Sequence, residues 1–318
     1  MDTRALGSSL RIRPLVLGGN VFGWTADRTT TFAILDRYAD AGFQAIDTAD
    51  AYSRWVPGHE GGESERLIGD WLKGRGGRDR TVIITKVGSD MGDGRKGLAA
   101  RYIPDAIEAS LRRLQTDYVD VYLSHWPDPS VPYEETLGAF QRLVEAGKVR
   151  EIGASNLNAT QLRESLDVAR AQRLPRYGIL QPEYNLYDRG SFEGALRDLT
   201  MAEGIAVITY FSLAKGFLTG KYRKPADLGL SPRGAAAKAY MNERGERILR
   251  ALDEVAARHG AQPGEVAIAW LIAQPGVTAP IASATSLAQV ESLIRAAALV
   301  LSPSDLAQLD SSSDARSA

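Results

Sequence analysis

The stretch GFQAIDTADAYS, residues 42–53, sets two carboxylates and a phenol, Asp47, Asp50 and Tyr52, directly after the apolar pair Ala45 and Ile46. Further along, Lys86 closes the run TVIITK and His125 closes VDVYLSH. A phenol in water, with a pKa of about 10, is a poor proton donor or acceptor at neutral pH. An adjacent ammonium stabilises the phenolate and lowers that value. Asp47 would hold Lys86 charged and fixed, and the ion pair would polarise Tyr52. His125, neutral, would donate a hydrogen bond to a substrate oxygen. Such a set can protonate a carbonyl oxygen as a hydride arrives. Protein groups do not deliver hydride, so this chemistry requires a nicotinamide cofactor. Taken singly, Asp47 reads as a helix cap, Lys86 as a rim residue, Tyr52 as a loop aromatic and His125 as a satisfied core group. Their placement at the ends of successive apolar runs argues for a shared site. Asp50 fits a cap or turn group.

The elements that must position these residues recur along the chain as short β-branched runs alternating with helical periodicity. The runs fall at 13–19, 43–47, 81–86, 119–125, 149–155, 177–181, 205–210 and 279–284. The helical candidates fall at 29–41, 63–74, 103–115, 133–147, 159–171, 191–203, 245–259 and 287–298, with Pro104 opening one and Gly190 or Ser191 preceding another. Most runs are apolar without alternation, as strands covered on both faces require. Eight such pairs fit an α/β fold of the (β/α)8 barrel type, in which chemistry sits at the carboxyl ends of the strands. A doubly wound sheet would carry G-x-G-x-x-G after an early strand, and the glycines at 18, 19 and 23 have the wrong spacing. We expect one domain over 1–318. An amino-terminal hairpin over 1–13 caps the barrel floor, an extended loop with helical insertions (221–244) follows strand seven, and 302–318 forms a tail with a frayed SSSDARSA end.

With 318 residues, 44% hydrophobic and 24% charged, and a net charge of −1, the chain has no field that favours nucleic acid or an anionic membrane surface. It has no cysteine, so thiolate catalysis, disulfides and iron–sulfur ligation are excluded. The amino terminus lacks the apolar core of a secretory signal, and EVAIAWLIAQ is too short to span a bilayer, so a cytoplasmic protein is expected. No metal site is expected, and oligomeric state leaves no mark in the composition.

These motifs resemble the aldo-keto reductases, from the ALGSSLRIRPLVLGG start to about residue 300. The most specific piece is GFQAIDTADAYS followed by ESERLIG, then IITKVG, YLSHWPD, IGASN, QPEYN and YFSLAKGFLTGKY. The resemblance implies a (β/α)8 barrel binding NADP(H) without a dinucleotide-binding sheet, and a catalytic tetrad at Asp47, Tyr52, Lys86 and His125. It further implies that Ser155, Asn156 and Gln181 hold the nicotinamide carboxamide and that Tyr210 stacks on its ring. Ser212, Leu213, Gly216, Leu218 and Gly220 would run along the pyrophosphate, with Lys215 adding charge.

The chain departs from the family pattern in three places. Gln44 stands where an Arg is common, the loop 53–62 is long, and near strand eight a Lys or Arg for the ribose phosphate is missing. Ser283, Thr285, Ser286 and Gln289 stand there instead, with Leu293 in place of a common Asn. A helix start with hydroxyls can bind phosphate, without the charge-assisted strength of a guanidinium. NADP(H) is favoured, with NAD(H) as the alternative. Phe22, Trp24, Trp55 and Trp126, with Phe211, are expected to wall a substrate pocket for an aldehyde or ketone with an apolar body. Trp71 and Trp270 are expected in the core, and His59 and Glu60 in solvent. Two competing functions are a cofactor-sensing regulatory subunit of the same fold and a Schiff-base lyase using Lys86. Asp47 argues against the lyase, because a nucleophilic amine must be neutral.

Overall fold

The computed structural model describes residues 2–92 and 94–314. Strands β1 (Arg4–Leu6) and β2 (Leu10–Ile12) form an antiparallel hairpin. Eight further strands close a parallel barrel: β3 (Val16–Gly18), β4 (Ala45–Asp47), β5 (Val82–Val87), β6 (Val119–Ser124), β7 (Val149–Ser155), β8 (Ile179–Gln181), β9 (Ala206–Thr209) and β10 (Ala279–Ala282). They follow one another in sequence around the barrel, and β10 returns to β3. This is the (β/α)8 fold.

Apart from Val82 and Arg150 near the starts of β5 and β7, the barrel strands are buried on both faces, which is why their sequences show little alternation. Inward residues, among them Val16, Ile84, Val121, Leu123, Ile179 and Ile281, fill the lumen, and Leu6, Leu10 and Ile12 of the hairpin close it from below. Glu151 on β7 ties the hairpin down: one carboxylate oxygen accepts the backbone N–H and the hydroxyl of both Ser8 and Ser9, at 2.7–2.9 Å. Outward residues pack against the helical ring.

The ring contains α1 (Arg28–Asp40), α2 (Glu63–Arg75), α3 (Ile103–Leu114), α4 (Tyr133–Glu145), α5 (Ala159–Gln172) and α6 (Ala195–Ala202). In α3 the buried set Ile103, Ala106, Ile107, Ser110, Leu111 and Leu114 repeats at helical spacing, and Pro104 sits in the first turn. The expected helix at 191–203 starts later. Ser191 donates its hydroxyl to Glu183 O and Asp188 O instead of capping.

Between β9 and β10 lie 3₁₀ turns at 214–219 and 225–230, the single turn α7 (Gly234–Ala237), then α8 (Glu243–His259) and α9 (Pro263–Ala273). Helix α9 is absent from the expected helices because Val266 to Leu271 are all buried, so no polar face marks a period. After α10 (Leu287–Ala298), residues 303–313 form α11 (Pro303–Ser313), correcting the expected tail from 302 onward. It opens on a capping box between Ser302 and Asp305 and packs on α8. Residues 315–318 of the expected frayed end lie outside the described residues.

Candidate active site

Strand register brings the chemical residues together. Asp47 pairs with Gly18 and Ile84, and Lys86 with Leu123. Past β4 the chain stays alongside β5, with Thr48 N–H donating to Ile84 O and Asp50 N–H to Lys86 O. That course delivers Tyr52 to the Lys86 amine. The Lys86 Nζ donates to Asp47 Oδ2 at 2.9 Å, to Thr48 O at 2.7 Å and to the Tyr52 hydroxyl at 3.0 Å. These three acceptors occupy all three ammonium protons. The stem of Lys86 is fully buried, whereas Tyr52 is only part-buried and faces the rim. The His125 ring lies 6.0 Å from the Tyr52 ring, and the backbone N–H of His125 donates to Val87 O.

Burial and the nearest opposite or cationic charge oppose each other at Tyr52 and Lys86, and act together at His125. Burial pushes the Tyr52 phenol up, Lys86 pulls it back, and Asp47 opposes Lys86; the phenol ends above its ordinary value. The ammonium lowers the phenol as expected, but desolvation outweighs it, and Tyr52 is held protonated. Burial alone would depress Lys86, but Asp47 and then Tyr52 overcome it, so the amine stays above its usual range. A charged amine with all protons engaged is no Schiff-base nucleophile. Burial, then Lys86, hold His125 well below its usual range, so the ring is neutral at pH 7. Its Nδ1 lies 2.9 Å from Ser89 Oγ. With that hydroxyl as donor, the ring proton is on Nε2.

A cleft of about 430 Å³ leads from Asp47 and Tyr52, past Tyr210 and Ser212, to Ser283 and Gln289 on the far side. Along its wall Phe211 and Lys215 adopt positive φ, as do the buried Ala214 between them and Asn156 just past β7. Non-glycine residues take that conformation at a cost of order 1–3 kcal/mol each, and such strain gathers at binding sites. Gly216, at φ 97°, continues the bend.

A model of the Aldo/keto reductase family matches residues 14–314. The chain belongs to the aldo/keto reductase family. It is 33% identical to "Aldo-keto reductase YhdN" of Bacillus subtilis (strain 168), over 92% of this chain and 86% of that one. It is 32% identical to "L-glyceraldehyde 3-phosphate reductase" of Escherichia coli (strain K12), over 98% and 92%. It is also 33% identical to "Probable voltage-gated potassium channel subunit beta" of Oryza sativa subsp. japonica, over 91% and 89%. This aldo/keto reductase is an oxidoreductase, and its family uses nicotinamide cofactors on small carbonyl compounds. Among the described residues no three His, Cys, Asp or Glu side chains group as metal ligands, and no helix is long and apolar enough to cross a membrane.

The residues of this reductase fit a dinucleotide in part as the motifs imply. Tyr210, Ser212, Leu213, Lys215, Gly216, Ser283, Thr285 and Gln289 line the cleft. Leu218 is buried in the core and Gly220 ends a 3₁₀ turn, so neither faces it. Ser155, Asn156 and Gln181 are bonded around the tetrad: Ser155 Oγ to Gln181 O, Asn156 Nδ2 to His125 O, and Gln181 Nε2 to Asp47 Oδ1, each at 2.8 Å. Tyr210 donates its hydroxyl to Asn156 Oδ1 at 2.7 Å.

Phe22 is fully buried beneath the rim and walls no pocket, because the turn after β3 folds its ring into the core. Trp24, Trp55 and Trp126 do gather at the rim. Trp55 packs edge-on against both Trp24 and Tyr52 at 5.7 Å, and Trp126 stacks on His125 at 5.8 Å. Trp55 and Trp126 are each 50% exposed. His59 is part-buried rather than solvated, its Nδ1 3.0 Å from Ser53 Oγ.

Sequence reasoning missed Ser89, Lys221 and Arg233. Arg233 is part-buried in the cleft wall with no ion-pair partner for its guanidinium among the described residues, and burial holds it below its usual range. Lys221 lines the same wall. The signal available was the basic content of 221–244, but that segment lies some fifty residues before the strand-eight positions, and only folding brings the two together.

Proposed function

We propose that this reductase converts an aldehyde or ketone to its alcohol with NADP(H), Tyr52 acting as the proton donor. One observation carries the reading: Lys86 Nζ touches both the Tyr52 hydroxyl and Asp47 at the end of a long cleft. A reduced nicotinamide, when bound there, supplies the hydride. Tyr52 hands its proton to the carbonyl oxygen, and the fixed Lys86 ammonium stabilises the phenolate left behind. Asp47 keeps that amine charged and aimed. His125, neutral and oriented by Ser89, donates from Nε2 to the same carbonyl oxygen and fixes its position. Trp24, Trp55 and Trp126 form the apolar lip against which the body of the substrate rests.

Ser155, Asn156 and Gln181 would hold the carboxamide, Tyr210 the nicotinamide face, and Ser212 to Gly216 the pyrophosphate. For the ribose phosphate, Arg233 and Lys221 supply the cations missing near strand eight, alongside Ser283, Thr285 and Gln289. An unpaired guanidinium in a cleft wall suits a phosphate dianion, which favours NADP(H) over NAD(H).

The test is a scan of aldehydes and ketones with NADPH and NADH, following absorbance of the reduced nicotinamide. Tyr52→Phe should bind NADPH normally and lose activity by about a hundredfold or more. Full activity in that variant would sink the proton-donor assignment. The likeness to a protein named as a potassium channel subunit supports a second reading, a cofactor-sensing subunit. Co-purification with a membrane protein, without turnover of any carbonyl, would favour it.

A further inference from the structure

Asp50 lies between Asp47 and Tyr52 in the chain, and the reaction described above gives it no part. Its backbone N–H donates to Lys86 O at 3.4 Å, joining the loop to the strand end that carries the amine. The residue is 2% exposed, and neither carboxyl oxygen has a hydrogen-bond partner among the described residues. A buried carboxylate without a cation or donors is strongly unfavourable, so such a group is held protonated instead.

The cations that act on Asp50 are already taken. Arg113 on α3 donates from Nε to Glu65 Oε2 at 2.6 Å, while Thr85 donates to Glu65 Oε1 at 2.6 Å. Lys86 has spent its three protons on Asp47, Thr48 and Tyr52. Glu65, fully buried on α2, adds a negative charge facing the carboxyl. The Tyr122 hydroxyl on β6 is also buried and unpartnered, and a charge on Asp50 acts on it, on Tyr102 and on Tyr52.

We propose that Asp50 is a positioning residue for the reduction: a neutral carboxyl group, on the loop bonded to the strand end that carries Lys86, that leaves the buried charge of the tetrad balanced, and that weakens proton donation by Tyr52 once it ionises. Burial, then repulsion by Glu65, push this carboxyl up to about 8, with Arg113, the nearby Ala51 backbone N–H and Lys86 pulling the other way. At neutral pH the group is therefore uncharged. Once ionised, it raises Tyr52 further and sets a negative charge near the oxygen that becomes negative in the transition state.

This inference rests on the reductase reading, and Asp50→Asn tests it by keeping the shape and removing the ionisation. In the wild type, kcat/KM for carbonyl reduction should fall about tenfold as pH rises through the ionisation of Asp50. Asp50→Asn should stay level over the same range. A wild-type profile flat through that range, or one that coincides with the variant's, overturns the inference and leaves the reductase reading intact. Absence of turnover with any carbonyl overturns both. Melting needs no turnover. A raised carboxyl stabilises the fold below its unfolded value of about 4 and loses that contribution as pH climbs toward its folded value. The wild-type Tm should therefore drop relative to Asp50→Asn across this window and run parallel above it. A pH-independent difference would count against a neutral Asp50.

Discussion

Gln181 Nε2 donates to Asp47 Oδ1 at 2.8 Å, linking residues 134 positions apart across the barrel mouth. Asp47 thus divides its two oxygens between an amide and the Lys86 ammonium. Gln181→Leu would leave one oxygen of a buried carboxylate without its donor, costing about 1–3 kcal/mol of stability. It should also loosen the aim of Lys86 and remove the proposed carboxamide contact, lowering kcat about tenfold and weakening cofactor affinity. An unchanged kcat would show that Lys86 alone positions Asp47.

Ser89 Oγ is placed to hold Nδ1 of His125, which in the proposed reaction leaves Nε2 for the substrate. Ser89→Ala removes the partner 2.9 Å from Nδ1, freeing the ring to take either tautomer. We expect kcat to fall about tenfold, with cofactor affinity unchanged. Steady-state kinetics beside a nicotinamide fluorescence titration separate the two. Loss of affinity with kcat intact would remove Ser89 from the catalytic arrangement.

Arg233 provides a test of cofactor choice. Arg233→Leu keeps the apolar stem and deletes the charge. NADPH affinity should weaken by about tenfold or more while NADH affinity changes little, because only the former carries the ribose phosphate. Equal weakening of both would place Arg233 on the shared pyrophosphate instead.

Acid stability should depend on Asp305 at the start of α11. Hydrogen bonds from Ser302, with His259 and Arg258 also contributing, hold this carboxyl well below the ordinary carboxylate range. A depressed carboxylate stabilises the fold above its unfolded value of about 4 and loses that contribution as pH falls below it. Asp305→Asn should therefore melt lower than wild type at pH 7, with the gap closing in acid. Melting curves across pH check this, and a gap independent of pH would mean that shape, not charge, ties α11 to α8.

What could be read before folding was whatever repeats locally. Eight apolar runs without alternation imply strands covered on both faces, and intervening helices then require a parallel barrel. Asp47, Tyr52, Lys86 and His125 stood out because each follows such a run, and strand ends share a rim. Helix α9 did not stand out, since a helix buried all round has no period to detect. Phe22 could not be told from a pocket aromatic, because the turn that carries it inward is a tertiary fact. Arg233 and the strand-eight positions line one cleft from distant segments, and a local pattern holds no record of distance. The ionisation of Tyr52 and Asp50 depends on how much water the fold removes from each and which cations it leaves unpaired. Residue types fixed the available chemistry; desolvation and pairing, which exist only once the barrel closes, decided the charge each group carries.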